Sequence, residues 1–188
     1  MKIAQALKTD APRIAALVMT AMNHECCKNF AGPEHSLEDF QRMMTELAEL
    51  DNSQYSYRNT LVARDGNGYV AGVIVGYDGN DLHRLRKAFI DAAKMHLGRD
   101  FSNMDDETGP GEFYIDSLAV DEHYRHQGIA TQLLKAVTNA HIGQQPVGLL
   151  VDKGNPAAER LYASLGFRYV EDAAWGGHAM RHLQMPKR

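Results

Sequence analysis

The sequence predicts an α/β fold of the α+β kind: one mixed central β-sheet flanked by helices, in a single domain over residues 1–188. Three observations predict it. A chain of 188 residues is one domain's worth of material, long enough to bury a core and too short for two large modules. Hydrophobic residues at 44%, charged residues at 23% and 6 Pro against 16 Gly describe an ordinary globular composition and argue against disorder. Apolar residues recur at helical spacing in some windows and in strand-like runs in others, interleaved along the chain.

The elements follow in order. A β-like run from Lys2 to Leu7 ends at Thr9-Asp10, either of which can cap a helix that takes Pro12 in its first turn. Ile14, Leu17, Val18, Ala21 and Met22 make that helix's apolar stripe. Ser36 and Asp39 form a capping-box variant opening a second helix with Phe40, Met43, Met44 and Leu47 on its buried face. Residues 60–64, the turn Asp65-Gly66-Asn67-Gly68 and residues 69–77 read as a β-hairpin. Asn80 or Asp81 caps a third helix through about Leu97, and Gly109-Pro110-Gly111 ends the polar stretch after it. A strand over 112–120, a helix over 130–141, a buried strand over 146–152 and a helix over 156–165 stopped by Gly166 come next. Strands over 167–171 and 178–185, around a Gly176-Gly177 turn, finish the chain.

Charge and composition narrow the function. A net charge of −4 lacks the basic footprint that phosphate backbones require, so no nucleic-acid partner is expected. No apolar run approaches the roughly 18 residues of a membrane span, and residues 1–10 lack a signal-peptide core, so a cytoplasmic protein without a membrane partner is expected. Cys26 and Cys27 are neighbours, which fits a reducing compartment. None of the nine histidines stands in zinc-site spacing, and no metal is expected.

The most informative segment is Ile115-Asp116-Ser117-Leu118-Ala119-Val120 followed by Arg125-His126-Gln127-Gly128-Ile129-Ala130-Thr131: a strand, a short loop, and a helix opening on small residues. Free N–H groups and the positive dipole end of that helix make an anion cradle. The loop is neither a Walker loop nor a dinucleotide fingerprint. A second block reads N-P-A-A-E-R-L-Y-A-S-L-G-F from Asn155 to Phe167.

Together the two blocks resemble the GNAT superfamily of acyl-CoA-dependent N-acetyltransferases, at motif level over residues 112–185. The resemblance implies a splayed pair of strands at the acyl-CoA site. It implies that Arg125-x-x-Gly128-x-Ala130, with His126, Gln127, Ile129 and Thr131, holds the pyrophosphate of acetyl-CoA, the acyl donor. It also implies that the main chain from Leu118 through Ala119 to Val120 pairs with the pantetheine arm. Tyr162 would protonate the departing thiolate. Asn155, seven residues earlier and on the same helix face, is explained either as a helix N-cap or as a cofactor contact.

Transfer to an amine needs a base, since an alkylammonium has no lone pair at neutral pH. Strict alternation puts Glu112, Tyr114, Asp116 and Leu118 on one face, so Asp116 is the expected base and Glu112 the reserve. Tyr114 and Leu150 stand where two subfamilies of the resembled family carry a glutamate, which argues against a protein N-terminal acetyltransferase. The resemblance places the acceptor side over about residues 29–59, including Tyr55 and Tyr57. A helical insertion at about 78–111 either roofs that pocket or forms a contact in a homodimer. The expected activity is acetyl transfer to a primary amine by direct attack, a small-molecule amine being favoured; the alternative is a regulatory module that holds acyl-CoA without turnover.

Overall fold

A computed structural model describes residues 1–187. In chain order the elements are β1 (Lys2–Gln5), α1 (Ala11–Met22), α2 (His24–Ala31), α3 (Leu37–Glu49), β2 (Thr60–Arg64) and β3 (Val70–Asp78). Then come α4 (Leu82–Leu97), β4 (Phe113–Val120), α5 (Ile129–His141), β5 (Val147–Asp152), α6 (Pro156–Leu165), β6 (Arg168–Trp175) and β7 (His178–Met185). The strands form one seven-stranded mixed sheet in the order β1-β2-β3-β4-β5-β7-β6. Only β4 and β5 run parallel among the paired neighbours, joined by the α5 crossover.

Period-2 alternation splits the core into two layers. Val73 and Val75 of β3 face the layer built on α1, α3 and Phe89 of α4, while Ile74 faces the layer built on Leu133 and Leu134 of α5. Ser36 caps α3 as a capping box, its Oγ accepting from Asp39 N–H while Asp39 accepts from Ser36 N–H.

Three readings of the helices change. Asp10 does not cap α1: its carboxylate accepts from Leu7 N–H at 2.7 Å across a preceding 3₁₀ turn and pairs with Arg64. Asp78, rather than Asn80 or Asp81, supplies the side-chain cap before α4, accepting from Asn80 N–H at 2.9 Å. The segment His24–Ala31 is a helix, capped by Asn23 and seated on Cys26, Cys27 and Phe30. Its polar start and short length hide its period in the sequence.

Two features of the sheet position the site. The β3/β4 register pairs Val75 with Ser117 and Gly76 with Ile115, leaving Asp116 as the extra residue of a β-bulge. The bulge breaks strict alternation beyond it. Leu118 therefore joins Ile115 against the α5 layer, and the expectation that Tyr114, Asp116 and Leu118 share a face is corrected. The parallel β4/β5 ladder, in turn, runs only from Phe113↔Val147 to Ile115↔Leu149. Past Ile115 the two strands part, as the splayed-strand expectation requires.

Candidate active site

The gap between β4 and β5 opens into a cleft bordered by Asp116, Ser117 and Leu118 on one side and by Leu150, Asn155 and Tyr162 on the other. Backbone geometry decides what β4 offers to it. Asp121 N–H bonds to Ala71 O at 2.8 Å on the β3 side, so alternation sends the polar groups of Ala119 and Ser117 toward β3. Those of Leu118 and Val120 point into the gap, where Arg125 Nε donates to Val120 O at 3.3 Å. Ala119 is thereby separated from its expected neighbours: its side chain is buried in the α1 layer and its main chain serves β3.

At the mouth of the gap the chain enters α5 through His126, at φ 62°, and Gly128, at φ 74°. Left-handed backbone at Gly128 favours a residue without Cβ, and a Cβ there would point into open space. No backbone N–H from His126 to Thr131 finds an acceptor among the described residues. Ile129 anchors this turn by burying its side chain beneath the sheet, so only its N–H is available. A run of unpaired donors around a bare αL glycine at a helix start fits a pyrophosphate.

Asn155 caps α6, its Oδ1 accepting from Ala158 N–H at 3.1 Å behind Pro156, while its residue borders the cleft. Tyr162, two turns along, packs edge-on against Phe167 with ring centres 5.8 Å apart. Burial pushes its hydroxyl up to about 12, so it stands protonated at neutral pH.

Asp116 lies at the deep end. Its Oδ1 accepts from Ser117 Oγ at 2.8 Å and its Oδ2 from Tyr77 Oη at 3.1 Å. Burial, then the Glu107 carboxylate beyond Tyr77, push its pKa up to about 7. Glu107 comes from the segment between β3 and β4 and is held by Arg86 of α4, by Gln54 Nε2 at 2.7 Å and by Tyr77. Glu107, Arg86, Gln54 and Tyr77 were not singled out from the sequence. One signal was there: Arg86 sits on the apolar stripe of Leu82, Leu85 and Phe89, and a buried arginine requires a carboxylate.

Two expected residues are not brought to this cleft. Glu112 is sealed elsewhere, accepting from Thr108 Oγ1 at 2.7 Å and from His182 Nε2 and Gln184 Nε2 at 2.9 Å. Those donors hold its carboxyl below its usual range despite burial. Tyr57 turns outward in a 3₁₀ turn and donates to Asp51 Oδ1 at 2.8 Å. Tyr55 does reach the cleft, buried beside Cys26 and Phe89. Among the described residues no group of three or more His, Cys, Asp or Glu side chains is placed to hold a metal, and no helix is long and apolar enough to cross a membrane.

Known proteins share this fold. The sequence profile of the acetyltransferase (GNAT) family matches residues 19–167. A solved structure of an acetyltransferase is 34% identical, each chain covering 100% of the other, with a TM-score of 0.82. An N-acetyltransferase from Staphylococcus aureus Mu50 superposes with the same TM-score at 24% identity over 98% of this chain and 100% of its own. The NatC complex bound to a Gag peptide and CoA contains a chain of the same fold, 18% identical, covering 100% of both chains, with a TM-score of 0.54. No curated protein is significantly similar in sequence. With the family profile spanning most of its length, this chain belongs to the GNAT acetyltransferase family.

Proposed function

We propose that this protein transfers an acetyl group from acetyl-CoA to a primary amine of a small molecule by direct attack. The observation that carries the reading is the convergence of Asp116, the free main chain of Leu118 and Tyr162 on one cleft, with the unpaired N–H groups of residues 126–131 following where β4 ends. Acetyl-CoA supplies the acetyl group as an activated thioester. The cradle and Arg125 hold its pyrophosphate, and the unpaired edge at Leu118 and Val120 offers its pantetheine arm a strand to pair with.

Asp116 takes the proton from the acceptor's ammonium. Removing a proton from a group near 10.4 costs about 5 kcal/mol with a base near 7 and about 9 kcal/mol with an ordinary carboxylate, so the raised carboxyl is the better base. The edge N–H at Leu118 stabilises the developing oxyanion, and Tyr162 Oη gives its proton to the leaving sulfur. Both free cysteines are buried, which suits a reducing compartment such as the cytoplasm.

A regulatory module that holds acyl-CoA without turnover would need neither Asp116 nor Tyr162 in the cleft. The deciding experiment follows free thiol release from acetyl-CoA across a panel of primary amines, with wild-type and Tyr162→Phe protein. Amine-dependent release that drops about 10²-fold in Tyr162→Phe, with acetyl-CoA affinity retained, is expected. Saturable acetyl-CoA binding with no amine-dependent release would make the protein a binder.

A further inference from the structure

Behind Asp116 lies a buried chain of groups that direct attack alone does not use. Tyr77 Oη, carrying one proton, lies 3.1 Å from Asp116 Oδ2 and 3.0 Å from Glu107 Oε1. It can donate to only one of them at a time. Gln54 Nε2 donates to both Tyr77 Oη, at 3.0 Å, and Glu107 Oε1, at 2.7 Å, which fixes the hydroxyl oxygen between the carboxylates. Arg86 Nη2 clamps the far side of Glu107 and donates to Asp105 O at 3.0 Å, while Nη1 donates to Asp106 Oδ1 at 2.9 Å.

We propose that Asp116, Tyr77 and Glu107 form one proton-handling unit, in which the Tyr77 hydroxyl turns from one carboxylate to the other as Asp116 takes up and releases the acceptor's proton. The proposal rests on Asp116 being the base. Tyr77 and Glu107 are positioning residues, since neither reacts with the amine.

With Asp116 ionised, Tyr77 donates to it, and Glu107 keeps Gln54 and Arg86. When the amine reacts, its N–H bond breaks, the electron pair stays on nitrogen for the attack, and the proton forms an O–H bond at Asp116 Oδ2. That O–H then donates to Tyr77 Oη, and Tyr77 turns its own proton to Glu107 Oε1. Resetting moves the Asp116 proton to Tyr77 Oη while the Tyr77 proton passes to Glu107, which releases it to water. Glu107 and Leu150 border both the reaction cleft and a second cavity, lined also by Asp106, Glu171 and His182. The proton therefore has an exit that avoids the side occupied by donor and acceptor.

The titratable or charged groups around Asp116 are Tyr77 on β3, Glu107, Arg86 on α4, Tyr55, Tyr114 on β4 and Cys26 on α2. Across the cleft stand Tyr162 and the Asp152–His178 pair, 3.3 Å apart. Burial keeps the phenols of Tyr55, Tyr77, Tyr114 and Tyr162 and the thiol of Cys26 protonated through the neutral range. Arg86 and Glu107 are thus the acid–base pair that faces Asp116 from the insertion side.

The test is the acid limb of kcat/KM against pH, measured with acetyl-CoA and the fastest acceptor of the amine panel. Glu107→Gln removes a like charge, so the limb should move to lower pH by about one unit. Tyr77→Phe keeps the ring and removes the donor that stabilises ionised Asp116, so the limb should move to higher pH, and kcat should fall about tenfold as resetting slows. Opposite shifts support the unit. A limb unmoved in folded Tyr77→Phe overturns it even if Glu107→Gln fails to fold, because a packing role lowers yield or melting temperature without displacing a pH limb. Asp116→Asn separates the two readings. If it abolishes the limb while Tyr77→Phe leaves it in place, only the proton-handling unit falls. If the limb survives in Asp116→Asn, the base assignment falls and this proposal with it.

Discussion

Glu112, just before β4, and Asp116, where the β4/β5 gap opens, are four residues apart and meet opposite fates. Glu112 stands where β4 is paired on both sides. The β5/β7 register sets Gln184 opposite Gly148 and His182 opposite Leu150, and both side chains donate to Glu112. Gly148 leaves the space: a Cβ there would lie 1.8 Å from Glu112 Oε2. The closed half thus gives its carboxylate donors enough to outweigh burial. Asp116 stands where the β5 side has parted, with two hydroxyls for donors, one of them shared with a second carboxylate. Burial wins there, and its carboxyl is pushed up to about 7. Strand pairing thus makes one carboxylate structural and the other available for chemistry.

Asp116→Asn should break the contrast most severely. Turnover should fall about 10²- to 10⁴-fold near neutral pH, as for loss of a general base, with the defect shrinking as pH approaches the acceptor's own pKa. Stability should move the other way. A carboxyl raised in the folded state binds a proton that the unfolded chain has released, so wild-type stability falls as pH rises from about 4 to about 7. Asn mimics the protonated form, so thermal melting should show Asp116→Asn stabilised by several degrees at pH 8 and nearly unchanged at pH 4. Equal melting temperatures at both pH values would mean that Asp116 is not held protonated.

The open half is defined as much by its cradle as by its carboxylate. In Gly128→Val a β-branched residue would have to adopt φ 74° and fill the space before the unpaired N–H groups. Calorimetry should show CoA affinity at least about tenfold weaker with the fold retained by circular dichroism, and undiminished affinity would remove the cradle from the site.

Glu112→Gln should have the smallest effect and sharpen the contrast by what it spares. The Glu112 carboxyl is lowered, chiefly through His182, and His182 is raised, chiefly through Glu112. Their mutual stabilisation is therefore full between the unfolded Glu and His values, roughly pH 4.5–6.5. It is lost as pH falls through the lowered Glu value or rises through the raised His value. The variant should lose about 1–2 kcal/mol in that window, a melting shift of roughly 2–8 °C, and less outside it. Its kcat/KM profile should keep the wild-type acid limb; a displaced limb would give Glu112 a part in the chemistry.

The loop that opens α5 and the phase of α6 were legible because their information is contiguous. A strand, an Arg-x-x-Gly-x-Ala loop and a helix start occupy residues 115–131, and Asn155 to Tyr162 spans two helical turns whose phase follows from 3.6 residues per turn. Steric demand at φ > 0 and unpaired N–H groups at a helix start are local properties of the chain. The pattern that misled was alternation. It holds only while pairing is regular, and one extra residue at Asp116 turned Leu118 to the other layer. Tyr55 and Tyr57 look equivalent in sequence, yet a single 3₁₀ turn carries Tyr57 out to Asp51 and leaves Tyr55 inside.

The sequence by itself determined the fold class, the helix and strand periods, the helix start behind the 125–130 loop and the shared helix face of Asn155 and Tyr162, because each rests on forces between near neighbours in the chain. Only the tertiary structure decided which carboxylate is sealed and which borders the cleft. That choice depends on Glu107, Arg86, Gln54 and Tyr77, from four separate segments, and on where the β4/β5 ladder stops. Electrostatic energies of buried groups depend on distances of a few ångströms across the fold and on lost hydration, neither of which linear spacing encodes.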